Sequence, residues 1–134
     1  MNLRDLHIAF HEKWGHNEAM ERLLWIDLEM TGLDVEKEKI IEVAAIVTDR
    51  LFNEQEEFHA VIKQDQKFID GMDEWNQKTH TETGLIKMIP GGQDQEKVER
   101  DLIVLIQKHF GDQPAVIAGN SIAQDRLFIR QHMP

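Results

Sequence analysis

Apolar and polar positions follow strand-like and helix-like periods in turn along this chain. Leu23-Leu24-Trp25-Ile26-Asp27-Leu28-Glu29-Met30 is short, apolar and aromatic-bearing, interrupted by acids and closed by Gly32; this pattern predicts a buried strand. Ile40 to Val47, within Lys39 to Asp49, predicts a second strand with both faces covered. Phe58 to Ile62 predicts a third, shorter strand after a polar turn at Asn53-Glu54-Gln55. Residues 64–94 are mixed and polar and end in the breaker Pro90-Gly91-Gly92. From Glu96 to Phe110, the residues Val98, Leu102, Leu105, Ile106 and His109 share one helical face, and Gly111 suits the stop. Ala115 to Gly119 predicts a fourth buried strand. Asn120 and Ser121 open a last helix, where Ser121-Ile122-Ala123-Gln124 fits a capping box. At the N-terminus, Leu3, Leu6, Phe10 and Trp14 form one apolar stripe, which predicts a helical extension over residues 1–21. Three strands, helix, strand, helix is the order of an α/β fold with a mixed sheet.

Composition narrows the function classes. A chain of 134 residues is one domain in size and buries roughly two-thirds of its unfolded surface. Cysteine is absent, which removes disulfides, thiol nucleophiles and every cysteine-bearing zinc site. Against 15 Lys+Arg stand 25 Asp+Glu, a net charge of −10. That argues against holding long nucleic acid by counterion release along a basic stripe. It leaves nucleic-acid chemistry open, because bound divalent cations reverse the local sign of an acidic site. No apolar stretch approaches the roughly 18 to 20 residues that span a membrane. Met1-Asn2-Leu3-Arg4-Asp5 lacks the basic and apolar regions of a signal peptide, so the expected compartment is the cytoplasm.

Asp27 and Glu29 are the first residues that suggest chemistry. In a strand, positions i and i+2 project from one face, so both carboxylates reach the same small volume, with Trp25 in phase. Charges in an apolar strand are costly unless paired or bound to a cation. Two readings follow: strand-end acids, one solvated and one salt-bridged, or ligands for a hard divalent cation. Asp125 falls in the first turn of the last helix, just past a strand end, where α/β proteins place ligands. It equally suits the helix dipole. Asp27-x-Glu29-x-Thr31-Gly32, with Glu38 twelfth, mimics a calcium loop, but its ligand positions are atypical and its flanks are strand-like. His11-Glu12-Lys13-Trp14-Gly15-His16 misses a zinc motif because the second histidine comes one residue late.

Longer matches go beyond spacing. Trp25-Ile26-Asp27-Leu28-Glu29-Met30-Thr31-Gly32-Leu33-Asp34 resembles the first exonuclease motif of the oligoribonucleases, within the DEDD group of 3′-to-5′ exonucleases. Gly119-Asn120-Ser121-Ile122-Ala123-Gln124-Asp125-Arg126-Leu127-Phe128 resembles the second. Between them, Met72-Asp73-Glu74-Trp75-Asn76 and Thr79-His80-Thr81-x-Thr83-Gly84-Leu85 are similar to a segment particular to that family. The resemblance implies a ribonuclease H-like fold over residues 22–134, an exonuclease domain holding two Mg²⁺ or Mn²⁺ ions. It implies that Asp27 bridges both ions, Glu29 holds the ion beside the attacking water, and Asp125 supports the second. Leu33 corresponds to a wedge against the bases, Trp75 to a stacking face, and His80 and Ser121 to contacts near phosphate or sugar. Read without the resemblance, these four are a loop leucine, a core aromatic, a surface histidine and a helix cap. The implied substrates are dinucleotides and other very short RNA oligonucleotides, cut to mononucleotides, and the implied assembly is a homodimer.

One part of the family pattern is missing. The resemblance calls for a third motif, His-x-x-x-x-Asp, supplying a histidine general base and a fourth acid, and none occurs in these 134 residues. A substrate-contacting tyrosine belongs to the same later part of the family pattern, and the chain has no tyrosine. The sequence therefore reads as the N-terminal two-thirds of such an enzyme, with the strand at Ala115 to Gly119 left as an open sheet edge. The competing expectation is a catalytically incomplete module that binds metal or short oligonucleotides, or self-associates.

Overall fold

The computed structural model describes residues 22–134; the expected extension, with His7, His11 and His16, lies outside the described residues. The elements are β1 (Arg22–Met30), β2 (Ile40–Asp49), β3 (Glu54–Val61), α1 (Gln66–Asp70), α2 (Glu74–Glu82), α3 (Leu85–Met88), α4 (Gln95–Phe110), β4 (Ile117–Ala118) and α5 (Ile122–His132), with a 3₁₀ turn at Ile89–Gly91. The sheet order is β3-β2-β1-β4, with β1–β2 and β2–β3 antiparallel and β1–β4 parallel. The expected mixed α/β sheet is therefore present.

Alternation along β1 sends Leu24, Ile26, Leu28 and Met30 into the core, and Trp25, Asp27 and Glu29 to the other face. The core face meets Val98, Leu102 and Leu105 of α4 and Phe128 of α5. In α4 the expected face is the buried one, except that Ile106 is only half-buried. A second apolar cluster of Ile41, Val61, Ile69, Met72, Leu85 and Ile89 seats the short helices α1 to α3. No helix among the described residues is long and apolar enough to cross a membrane.

Several expectations change. In β2 only one face is covered, because Glu42, Ala44 and Ile46 are half-buried. The turn before β3 comes earlier than expected, so β3 starts at Glu54, with Phe52 left-handed at φ 65° where the chain reverses. Residues 64–94 contain the helices α1 to α3, which polar composition concealed. The expected strand Ala115–Gly119 shrinks to Ile117–Ala118. It does form a sheet edge, a short one. The capping box does not form: Ser121 is left-handed (φ 54°, ψ 33°) and makes no side-chain cap. That backbone departs from the extended conformation an N-cap serine adopts.

Candidate nuclease site

The candidate acids meet where β4 gives out beside β1. Leu24 N–H donates to Val116 O, so the even-numbered amides of β1 face β4. Two residues later the chain crosses so close to β1 that a Cβ on Gly119 would lie 2.6 Å from Ile26 O. Only glycine permits that approach. Past that crossing the Leu28 amide faces the Asp125 carboxylate and favours its charged form, a smaller effect than burial. The first turn of α5 thus takes over from β4 and delivers Asp125 to Asp27.

Asp125 is 4% exposed, and its Oδ2 is a buried oxygen with no hydrogen-bond partner among the described residues. Burial pushes the Asp125 carboxyl up, and the neighbouring Asp27 charge pushes it further. Glu29 is also pushed up, by burial first, then by Asp27, Glu42 and Asp125, with His80 opposing. Asp27 thus acts on both acids, and Glu29 feels Asp125 as well. A buried carboxylate oxygen lacking a donor is the atom a hard cation would satisfy, so the donor set fits a divalent metal. As they stand, no three His, Asp or Glu side chains among the described residues are drawn into a metal-holding group.

His80 lies behind the end of β1. It is 2% exposed, donates Nε2–H to Met30 O at 3.0 Å, and presents Nδ1 at 4.0 Å from Glu29 Oε2. A buried position replaces the surface-histidine reading. Asp73 caps α2 by accepting Asn76 N–H at 2.8 Å. Asn76 and His80, four apart, then share the buried face. This leaves Trp75 on the outer side, 70% exposed, so it is no core aromatic. Leu33 is a loop residue, 75% exposed, and Ser121 is exposed at the start of α5. The structure thus gathers Asp27, Glu29, Asp125 and His80, while Leu33, Trp75 and Ser121 project from the surrounding surface.

An open groove of about 310 Å³ runs from Asp27 over Ala44 and Ile46, with Trp25, Gly119 and Asn120 along it. A larger groove of about 450 Å³, between Ile117 and the Arg126 and Arg130 side of α5, contains none of the candidate acids. Two contributors escaped the sequence reading. Glu42 stands opposite Glu29 in the β1–β2 register and bonds His59 at 2.6 Å. Gln124 donates to Leu33 O at 2.8 Å. Register would have revealed Glu42, an acid in an apolar strand just as Asp27 is; Gln124 suggested only half of a capping box, and nothing local directs it to Leu33.

Comparison with known proteins points to one family. The exonuclease family model (RNase_T) matches residues 24–134. The oligoribonuclease of Idiomarina loihiensis is 44% identical over 116 residues, covering 85% of this chain and 63% of that protein. That of Francisella tularensis subsp. tularensis is 43% identical over 119 residues, covering 87% and 67%. The chain thus spans about two-thirds of the length of these curated relatives. Among solved structures, E. coli exonuclease I in complex with a dT13 oligonucleotide superposes with a TM-score of 0.62 at 21% identity, over 82% of this chain and 23% of that one. That likeness identifies the fold as ribonuclease H-like. Residues 24–134 belong to the exonuclease family.

Proposed function

We propose that this chain carries the metal-binding part of a 3′-to-5′ exoribonuclease that cuts very short oligonucleotides to mononucleotides. One observation carries the reading: the buried Oδ2 of Asp125, without a hydrogen-bond partner among the described residues, beside Asp27 and Glu29. In this reading those three carboxylates hold Mg²⁺ or Mn²⁺, two ions in all. Divalent cations so held would supply activation of water and charge neutralisation at the departing 3′ oxygen. The chain's own residues do the rest. Trp75 offers an exposed ring for a base, and Leu33 an apolar edge against it. His80 serves the cluster through Nδ1, the ring atom on the Glu29 side. Ser121 lies next to the turn that brings Asp125 in and touches sugar or phosphate. A net charge of −10 leaves little to track a long strand, which favours short substrates. The intact assembly in this reading is a homodimer.

A second reading has its own support. With no His-x-x-x-x-Asp among the 134 residues, these residues include no family-type general base. Such a base is worth about 10²–10⁴-fold. The chain would then bind metal and short oligonucleotides with little or no turnover. Incubating it with a 5′-labelled dinucleotide and Mn²⁺, beside Asp27→Ala, separates the two. Mononucleotide release that needs Asp27 supports the enzyme, and Asp27-dependent binding without release supports the binding module. Neither binding nor release would remove both.

A further inference from the structure

Leu33 is a large apolar side chain with almost nothing packed on it, so the backbone alone decides where it points. The loop that carries it, between β1 and β2, is closed at its base. Thr31 N–H donates to Lys39 O and Lys39 N–H to Thr31 Oγ1, both at 2.9 Å, and the Thr31 hydroxyl bonds Glu38. The outer part is held from a distant element. Gln124, in the first turn of α5, donates Nε2–H to Leu33 O at 2.8 Å. A carbonyl can only accept, so the amide nitrogen must face it. From the last turn of the same helix, His132 donates Nε2–H to Val35 O at 2.9 Å, and Gln95 holds His132 O at 2.7 Å.

We propose that Gln124 is a positioning residue for substrate: it ties the Leu33 loop to the helix turn that presents Asp125, setting the base contact at a constant distance from the acids. This rests on reading Leu33 as a base contact. Gln124 and Asp125 are adjacent in one helical turn, so one rigid piece would locate both the apolar edge and the carboxylate. The failed capping box fits this role, because the Gln124 side chain is committed to Leu33.

Two readouts on the 134-residue protein test the idea: amide exchange of residues 32–38, and Mg²⁺-dependent binding of a 2-aminopurine dinucleotide followed by fluorescence. Gln124→Glu is isosteric and lacks the N–H, and Gln124→Ala removes the whole group. Each should quicken loop exchange and weaken binding about fivefold, the size of one net hydrogen bond. Gln124→Lys restores a donor and should recover most of the affinity. In a Leu33→Ala background, Gln124→Ala should cause no further loss, whereas a general structural defect would add. Mn²⁺-induced stabilisation should persist in Gln124→Ala, showing that Asp125 is undisturbed. Unchanged loop exchange in Gln124→Glu overturns the proposal. An equal loss of binding with and without the Leu33 side chain also overturns it. Should the wild type not bind the dinucleotide, Leu33 as a base contact fails, and loop exchange alone decides whether Gln124 holds the loop.

Discussion

His109 donates its Nε2–H to Glu56 at 2.6 Å, joining the end of α4 to β3. Arg22 fixes that tautomer, because its Nη1 lies 3.1 Å from His109 Nδ1 and has only protons to give. Lys108 reaches the same Glu56 oxygen at 2.6 Å. The group ties β1, β3 and α4 together at the end of β1 away from the candidate acids. Hydrogen bonds from Lys108 first, and then from His109, hold the Glu56 carboxyl below the usual glutamate range.

A lowered folded-state pKa stabilises the protein fully above the unfolded value, and that share is lost as pH falls through the lowered one. Thermal melts from about pH 7 to about pH 3 should therefore fall more steeply for the wild type than for Glu56→Gln, which starts lower at neutral pH. Parallel curves would show that Glu56 contributes nothing to the acid limb.

Asp125 should behave in the opposite sense. Burying a carboxylate with one unpartnered oxygen opposes folding when no cation is present. Asp125→Asn removes the charge at nearly constant shape, so the metal-free protein should melt higher at pH 7 while losing Mn²⁺ stabilisation. A variant less stable than wild type in the chelator EDTA would contradict the account of this carboxylate.

Trp75 and Phe128 separate binding from packing. Phe128 is fully buried and stacks on His132 at 5.7 Å, so Phe128→Ala should destabilise by about 3–5 kcal/mol in urea titrations. Trp75 is 70% exposed, and Trp75→Ala should change stability by no more than about 0.5 kcal/mol. The same change should weaken oligonucleotide binding by about 1–3 kcal/mol, the worth of one stacked base. Strong destabilisation by Trp75→Ala would place its ring in the core after all.

The readable parts of the sequence were those where burial follows a local period. Two-residue alternation placed Asp27 and Glu29 on one face of β1, and the period of α4 marked Val98, Leu102 and Leu105 as core. Polar α2 buries Asn76 and His80, so it offered no apolar stripe to read. Ala115 to Gly119 is apolar enough for a full strand, yet the close crossing of Gly119 over Ile26 ends the pairing early. Glu42 beside Glu29 needed the strand register, and Gln124 on Leu33 needed the fold, since 91 residues separate them. Alternation alone put Asp27 and Glu29 on one face, while the contacts made by Glu42 and Gln124 needed the fold.

Mn²⁺ binding reports on the carboxylate cluster itself. A ligand selective for the native state at a hundredfold excess over its Kd adds about 2.7 kcal/mol, a rise of several degrees in Tm. Wild type should show that rise and Asp27→Ala should not. Asp94→Ala, an exposed position before α4 whose side chain makes no cap, should rise like the wild type. Equal Mn²⁺ stabilisation of wild type and Asp27→Ala would contradict the account, because the cation would then bind somewhere other than the Asp27, Glu29 and Asp125 cluster.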